Sequence, residues 1–325
     1  GSDTVDYYNL ATINPGAEAI TVLLDNTNAV TVTVINGDDD QIRGVENIRG
    51  TTFNDNITGD DANNHLRGME GDDTLSGRLG DDILDGGAGI DTADYTLATS
   101  GIDVDLALNT VFADGDGGND TIISIENIRG SSFDDVILGS GSAETLSGFA
   151  GNDRIAGRGG NDIIDGGLGN DTVDYATQAN AVIVDLIAGT GLDTVDSSVD
   201  TLISIENVIG TDFNDTIAGN AFANTLTGGA GDDTISGGSG SDTLDGGAGT
   251  GDRLRFDELV DGFININIGT GSATYSADSS VDSFMNFEFY ELTAQNDIVT
   301  GSTGIDDVQT LAGDDTINAS AGDDI

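Results

Sequence analysis

The sequence predicts an all-β chain wound as a β-solenoid, in four tandem units of about 80 residues. Three observations predict it: a long repeat of 80 residues, a nine-residue repeat nested inside it, and a net charge of -50 on a chain that is still 37% apolar. Internal repeats are read first, because overlooking them mis-assigns the whole fold. Glu46, Glu126 and Glu206 recur in VEN, IEN and IEN, and Asp40, Asp120 and Asp200 each stand six residues before them. A worn fourth copy has Asp282 and Glu288. DTVDY from Asp3, DTADY from Asp91 and DTVDY from Asp171 mark the same duplication. The units run 1–94, 95–174, 175–252 and 253–325, the last one degenerate and truncated.

Within each unit the nine-residue period occupies residues 50–94, 130–174, 210–252 and 292–325. Position six is Asp in nearly every copy, with Asn64, Glu144 and Asn224 as oxygen-bearing exceptions. Position eight is apolar, as in Ile57, Leu66, Leu75 and Leu84. Glycines crowd the first four positions, where a sharp turn needs positive φ or a close backbone approach. Each nonapeptide therefore reads as a six-residue turn and a three-residue strand whose central side chain points inward. Two of them make one coil, and stacked coils place each position six above the next along an edge.

Such a ladder of carboxylates repels itself unless cations lie between its rungs. Calcium fits best, since it takes 6–8 oxygen ligands from carboxylates and backbone carbonyls. Zinc would call for His or Cys, and the chain has one His, His65, and no Cys. Magnesium would demand a stricter octahedron with retained waters.

GGAGDDTIS, GGSGSDTLD and GRGGNDIID resemble the glycine- and aspartate-rich nonapeptide of the RTX (repeats-in-toxin) family, GGxGxDxUx with U apolar. Nineteen contiguous or near-contiguous copies make the resemblance specific. It implies a parallel β-roll with calcium ions held in the Gly-Asp turns. By the family's pattern, side-chain oxygen comes from Asp73, Asp82, Asp91, Asp153, Asp162, Asp171, Asp233, Asp242 and Asp315. Asp55, Asp135, Asp215, Asp297, Asp306 and Asp324 match the spacing but lack some glycines or sit at the truncated end. Turn carbonyls would come from Gly71, Gly80, Gly86, Gly87 and Gly89 in the first unit. The second unit would use Gly151, Gly160, Gly166, Gly167 and Gly169, and the third Gly228, Gly229, Gly231, Gly237, Gly238 and Gly240.

About 35 residues separate the nonapeptide sets, for instance Tyr95 to Arg129 and Tyr175 to Ile209. Their alternating strands read as extensions of the same roll with a loop bulging to one side. The fourth block puts Phe and Tyr in DSFMNFEFYEL, which reads as a wider coil or the start of a different neighbour. Asp38-Asp39-Asp40 and Asp114-Gly115-Asp116 lack the EF-hand pattern and read as solvated acidic loops, with an extra lateral calcium as the alternative. The recurring Glu residues read as acceptors of backbone hydrogen bonds or caps of the calcium row, and His65 as a surface residue.

Other functions find little support. There is no HExxH, no GxSxG and no second His, so no catalytic residue is assigned and the chain reads as a non-enzyme. Nucleic acid meets the wrong sign of charge, and no apolar run is long enough to span a membrane. Gly1-Ser2 looks like a cloning scar and the last repeat breaks off, as in a fragment of something longer. The resulting expectation is an extracellular or cell-surface structural or adhesive module, secreted by a type I system and folding on calcium. The alternatives are a glycan-binding module attached to an extracellular enzyme, or an inert spacer. Partners would be calcium ions, surface glycans or other copies of the parent protein.

Overall fold

The computed structural model describes residues 2–8, 19–25, 30–37, 39–195, 197–259, 261–304 and 306–319. Gly1, Asp38 and Asp324 lie outside them. Among the described residues the chain is short strands and turns, with one 3-10 turn at Ile268–Thr270 and no α-helix. No helix is long and apolar enough to cross a membrane among the described residues. The chain divides into two compact units, Gly1–Asp171 and Thr172–Ile325.

In the first unit, Asn56–Thr58 pairs parallel with Thr74–Ser76, which pairs with Thr92–Asp94. Asn47–Arg49, His65–Glu70 and Ile83–Ala88 do the same in a second sheet. Consecutive nonapeptides thus alternate between two sheets, and the chain returns to the same sheet after 18 residues. Parallel neighbours usually need a long crossover; here a turn, the strand of the other sheet and another turn provide it. The central residue of each strand is buried and its flankers are not, as in the exposed–buried–intermediate order of Asn56–Thr58. Stacking these residues builds apolar columns such as Ile57, Leu75, Ala93, Ile128, Leu146 and Ile164, all 0% exposed.

The blocks between the repeats do extend the sheets, but not by parallel pairing alone. Asp103–Asp105, Thr110–Ala113 and Asp120–Ile123 form an antiparallel meander. Its outer strands pair parallel with Val136–Leu138 and Ile83–Ala88. One antiparallel strand therefore interrupts an otherwise parallel sheet, because a tight hairpin suffices for antiparallel neighbours.

The second unit repeats this plan. Val173, Val208, Leu226, Leu244 and Phe284 stack in one column. Val184, Ile217, Ile235, Leu254, Tyr290 and Val308 form another. Val182–Asp185, Thr190–Asp193 and Val199–Ile203 form one meander, and Ile264–Asn267, Ser272–Tyr275 and Val281–Met285 a second. The fourth block keeps the register of the roll. Phe284 fills its place in the column, with ring centroids 6.4 Å from Phe287 and 5.7 Å from Tyr290.

Candidate metal centre: two kinds of carboxylate rung

The position-six side chains form ladders along the turns. From the second coil of each set onward, Oδ1 accepts the amide of the position-six residue one coil earlier, while the first Asp of a set accepts a strand amide, as Asp55 does from Ile20 at 2.7 Å. Asp55 donates to Asp73 at 2.7 Å and Asp73 to Asp91 at 2.8 Å. Asp135 donates to Asp153, and Asp153 to Asp171, each at 2.8 Å. In the second unit Asp215 donates to Asp233 at 2.7 Å and Asp233 to Asp252 at 2.8 Å. Asn64 to Asp82, Glu144 to Asp162, Asn224 to Asp242 and Asp297 to Asp315 follow the same rule.

The second oxygen divides the rungs into two kinds, and the residue at position two decides which. In the opening turns of each set, that residue is Thr, Ser, Asp or Asn. None of Thr51, Asp60, Ser131, Ser140, Thr211, Asn220, Thr293 and Ser302 has a positive φ. Its amide points into the turn and donates to the position-six side chain. Thr51 donates to Oδ2 of Asp55 at 2.6 Å, Ser131 to Asp135 at 2.7 Å, and Thr211 to Asp215 at 2.5 Å. Thr293 and Ser302 serve Asp297 and Asp306 at 3.0 and 2.6 Å. The hydroxyls add a further bond, from Thr51 at 2.9 Å and from Ser131 at 2.7 Å. These carboxylates are satisfied by protein donors alone.

In the later turns position two has a positive φ: Met69 (95°), Arg78 (73°), Gly87 (108°), Phe149 (73°), Arg158 (66°), Gly167 (97°), Gly229 (113°), Gly238 (87°) and Gly247 (100°). The position-two amide no longer reaches the carboxylate. Oδ2 of Asp73, Asp82, Asp91, Asp153, Asp233, Asp242 and Asp252 is buried with no hydrogen-bond donor. Leu311 (φ 58°) puts the turn of Asp315 in the same conformational class.

Glycine at position four follows from crowding. Gly71 has φ +111°, and a Cβ there would lie 2.6 Å from the carbonyl carbon of Phe53, one coil earlier. Gly151 and Gly231 are equally tight against Phe133 and Phe213. Gly80, Gly89, Gly160, Gly169 and Gly240 share the positive φ. Gly86, Gly228 and Gly237 pack against the position-six carboxylates of Asp91, Asp233 and Asp242. Gly166 contributes its carbonyl oxygen beside Gly148.

A buried anionic oxygen without a donor is costly. Burial first, then the like charges of neighbouring rungs, push the carboxyls of Asp73, Asp82, Asp153, Asp233 and Asp242 up to about 7. Burial also raises Asp55, Asp135 and Asp215, but the Thr51, Ser131 and Thr211 hydrogen bonds oppose it.

The orphaned oxygens test whether a cation fits. They are oxygen donors of full or partial negative charge, buried, in rows, with nothing among the described residues to neutralise them; a hard divalent ion suits them. Among the described residues no three acidic or histidine side chains converge on one point. A carboxylate cage is therefore absent there, and turn carbonyls would have to complete any coordination shell.

Several residues join the ladders without being legible from the nonapeptide count. Oε2 of Glu126 accepts the Asp91 amide at 2.9 Å and that of Glu288 accepts Asp252 at 3.0 Å, so these glutamates end a row as hydrogen-bond acceptors. Asp120 and Asp282 are rungs too, accepting Asp82 and Asp242 at 3.0 Å. Asp120 is finished by the Tyr95 hydroxyl at 3.0 Å, and Asp200 by Tyr175 at the same distance. The regular six-residue spacing from Asp120 to Glu126 was the available signal.

His65 is half-buried and accepts from Arg67 Nε at 2.9 Å. Arg158 makes a bidentate pair with Asp105, both contacts 2.8 Å. One expectation is overturned: Asp114 is not solvated but 1% exposed, because its Oδ1 turns inward to accept three loop amides.

A family model for the RTX calcium-binding nonapeptide repeat matches residues 42–68, 58–93, 123–148, 138–173, 209–244, 219–251 and 293–325. No curated protein matches the chain. The matched segments cover more than half of the sequence and coincide with the ladder turns, so the chain belongs to the RTX calcium-binding nonapeptide repeat family.

Proposed function

We propose that this segment is a calcium-folded structural module of a secreted or cell-surface bacterial protein, with no catalytic role of its own. The observation that carries this reading is the row of buried, donorless Oδ2 atoms on Asp73, Asp82, Asp91, Asp153, Asp233, Asp242 and Asp252. Asp162, Asp171 and Asp315 sit in turns of the same conformation and are assigned with them. Bound calcium would supply positive charge to these oxygens, and the glycine-rich turns would supply carbonyl ligands.

The chain's own residues do the rest. At -50 the metal-free polypeptide resists compaction, which suits export in an unfolded state through a type I system. Sites with dissociation constants of about 10⁻⁴ to 10⁻³ M would fill outside the cell, and metal binding would then drive folding. Because each coil packs only on its neighbours, filling one site favours the next. Far-UV circular dichroism during a calcium titration, with magnesium as control, tests this. A cooperative gain of β signal in calcium alone is expected; a β spectrum indifferent to chelator would sink the reading.

A second reading, a module that binds a neutral glycan, is favoured by one feature of the second unit. An open groove of about 460 Å³ is lined by Leu186, Ile187, Asn220, Phe222 and Ser239 among others. Phe222 is 73% exposed, an apolar ring face of the sort sugars stack on. Binding on a glycan array that needs calcium and is lost in Phe222→Ala would favour it over a purely structural module.

A further inference from the structure

The row containing Asp82 ends differently from its counterpart in the second unit. Asp114 belongs to the loop that follows Thr110–Ala113 and stands outside every nonapeptide. It is 1% exposed. Its Oδ1 accepts the amides of Asp116, Gly117 and Gly118 at 2.8, 2.8 and 2.9 Å, while its Oδ2 is buried without a donor. Asp82, also 1% exposed, has an Oδ2 in the same condition. The charges of Asp120 and Asp114 both bear on Asp82. A Cβ placed on Gly118 would lie 1.8 Å from the Gly80 carbonyl oxygen and 2.6 Å from Asp114 Oδ2. The bare α-carbon of Gly118 thus lets a turn carbonyl and a loop carboxylate approach one point.

The block in the second unit shows what the same place looks like when the protein satisfies it. Asp193 donates its amide to Ser198 across the loop at 3.1 Å, as Asp114 does to Gly118 at 3.3 Å. There the side-chain amide of Asn180 donates to both carboxylate oxygens, at 3.3 and 3.1 Å. The residue 80 positions earlier is Ser100, and its hydroxyl is used on the Gly115 carbonyl at 2.8 Å. One block brings an amide to its loop carboxylate; the other leaves it to something else.

We propose that Asp114 Oδ2 joins Asp82 Oδ2 and the Gly80 carbonyl as a ligand of one divalent cation, so that the inter-repeat loop completes a site the repeats only begin. The proposal rests on the calcium reading above, and it extends that reading to a residue the nonapeptide pattern does not contain. All three donors are oxygen, which selects a hard cation such as calcium.

Native mass spectrometry of the full chain in calcium chloride counts bound ions directly. Asp114→Asn should carry one ion fewer than the parent chain. Ser100→Asn, which supplies the amide found beside Asp193 while keeping Asp114, should also lose one. Asp116→Asn, whose half-buried carboxylate is held by the Thr99 amide and hydroxyl away from this point, should keep the full count. If Asp114→Asn does not fold, Ser100→Asn decides. Undiminished counts in the two variants would overturn the loop's part in the site and leave the repeat sites standing; a parent chain that binds no calcium would overturn both.

Discussion

Asp55 and Asp73 stand one coil apart in the same ladder, yet they solve the same problem differently. Both are buried, and both accept a backbone amide on Oδ1, Asp55 from Ile20 and Asp73 from Asp55, each at 2.7 Å. Thr51 closes Asp55 with an amide and a hydroxyl. Met69, turned to φ 95°, gives Asp73 neither, and Oδ2 is left without a donor. The same pair recurs as Asp135 against Asp153 and Asp215 against Asp233. On the calcium reading proposed above, a roll of this kind needs metal only where position two flips. The Ser- and Thr-closed turns are rungs that fold on protein hydrogen bonds alone.

Substitution should break that comparison most visibly. In calcium, Asp73→Asn is expected to destabilise the roll by about 1–3 kcal/mol, the range for mis-pairing a buried polar group. In chelator the same change should stabilise it, because a buried charge without a partner is gone. Asp55→Asn should destabilise in both conditions, since an amide nitrogen would face the Thr51 donor. Urea denaturation in calcium, and the amount of a stabilising osmolyte needed to fold each variant in chelator, check the sign; a parallel response of the two would erase the distinction.

Backbone changes come next. Gly71→Ala meets the Phe53 carbonyl carbon and a φ of +111°, and should cost about 1–3 kcal/mol. Met69→Gly relieves a side chain from positive φ and should gain up to about 1 kcal/mol. Thermal melts in saturating calcium separate these opposite signs.

Acidity gives a smaller, graded effect. Asp73, Asp82, Asp153, Asp233 and Asp242 sit at about 7 in the metal-free fold, against about 3.9 for an unfolded Asp. Between these values the folded state binds more protons, so stability in chelator is full below about pH 4 and falls as pH rises through 7. With calcium the direction reverses, since protons compete for the same oxygens and more calcium is needed at pH 5 than at pH 8. The least effect is expected at Arg67, whose contact to Asp85 is 3.7 Å and exposed; Arg67→Ala should stay within about 0.5 kcal/mol.

Much of this was legible in the sequence, for physical reasons. A period of nine with one apolar and one acidic position leaves few ways to fold, so the coil, the register of 18 and the core columns follow. The first grouping of aspartates by surrounding glycines also tracks the two kinds of rung. Its cause lies at position two, a short polar residue such as Thr51 or Ser131 in the closed turns and Gly, Met, Arg or Phe in the open ones, but what that difference does is a change of φ, which spacing does not show. Gly304 shows the limit: its turn has the position-four glycine, yet Ser302 closes Asp306. The antiparallel strand of each block and the burial of Asp114 depend on tertiary pairing, which spacing alone does not encode.

A crystal of the calcium-loaded chain, with ions located by anomalous scattering, tests the central distinction most directly. Ions against Oδ2 of Asp73, Asp153 and Asp233, with none against Oδ2 of Asp55, Asp135 and Asp215, is the expected result. Ions on both sets, or on the Ser- and Thr-closed set alone, would contradict the account.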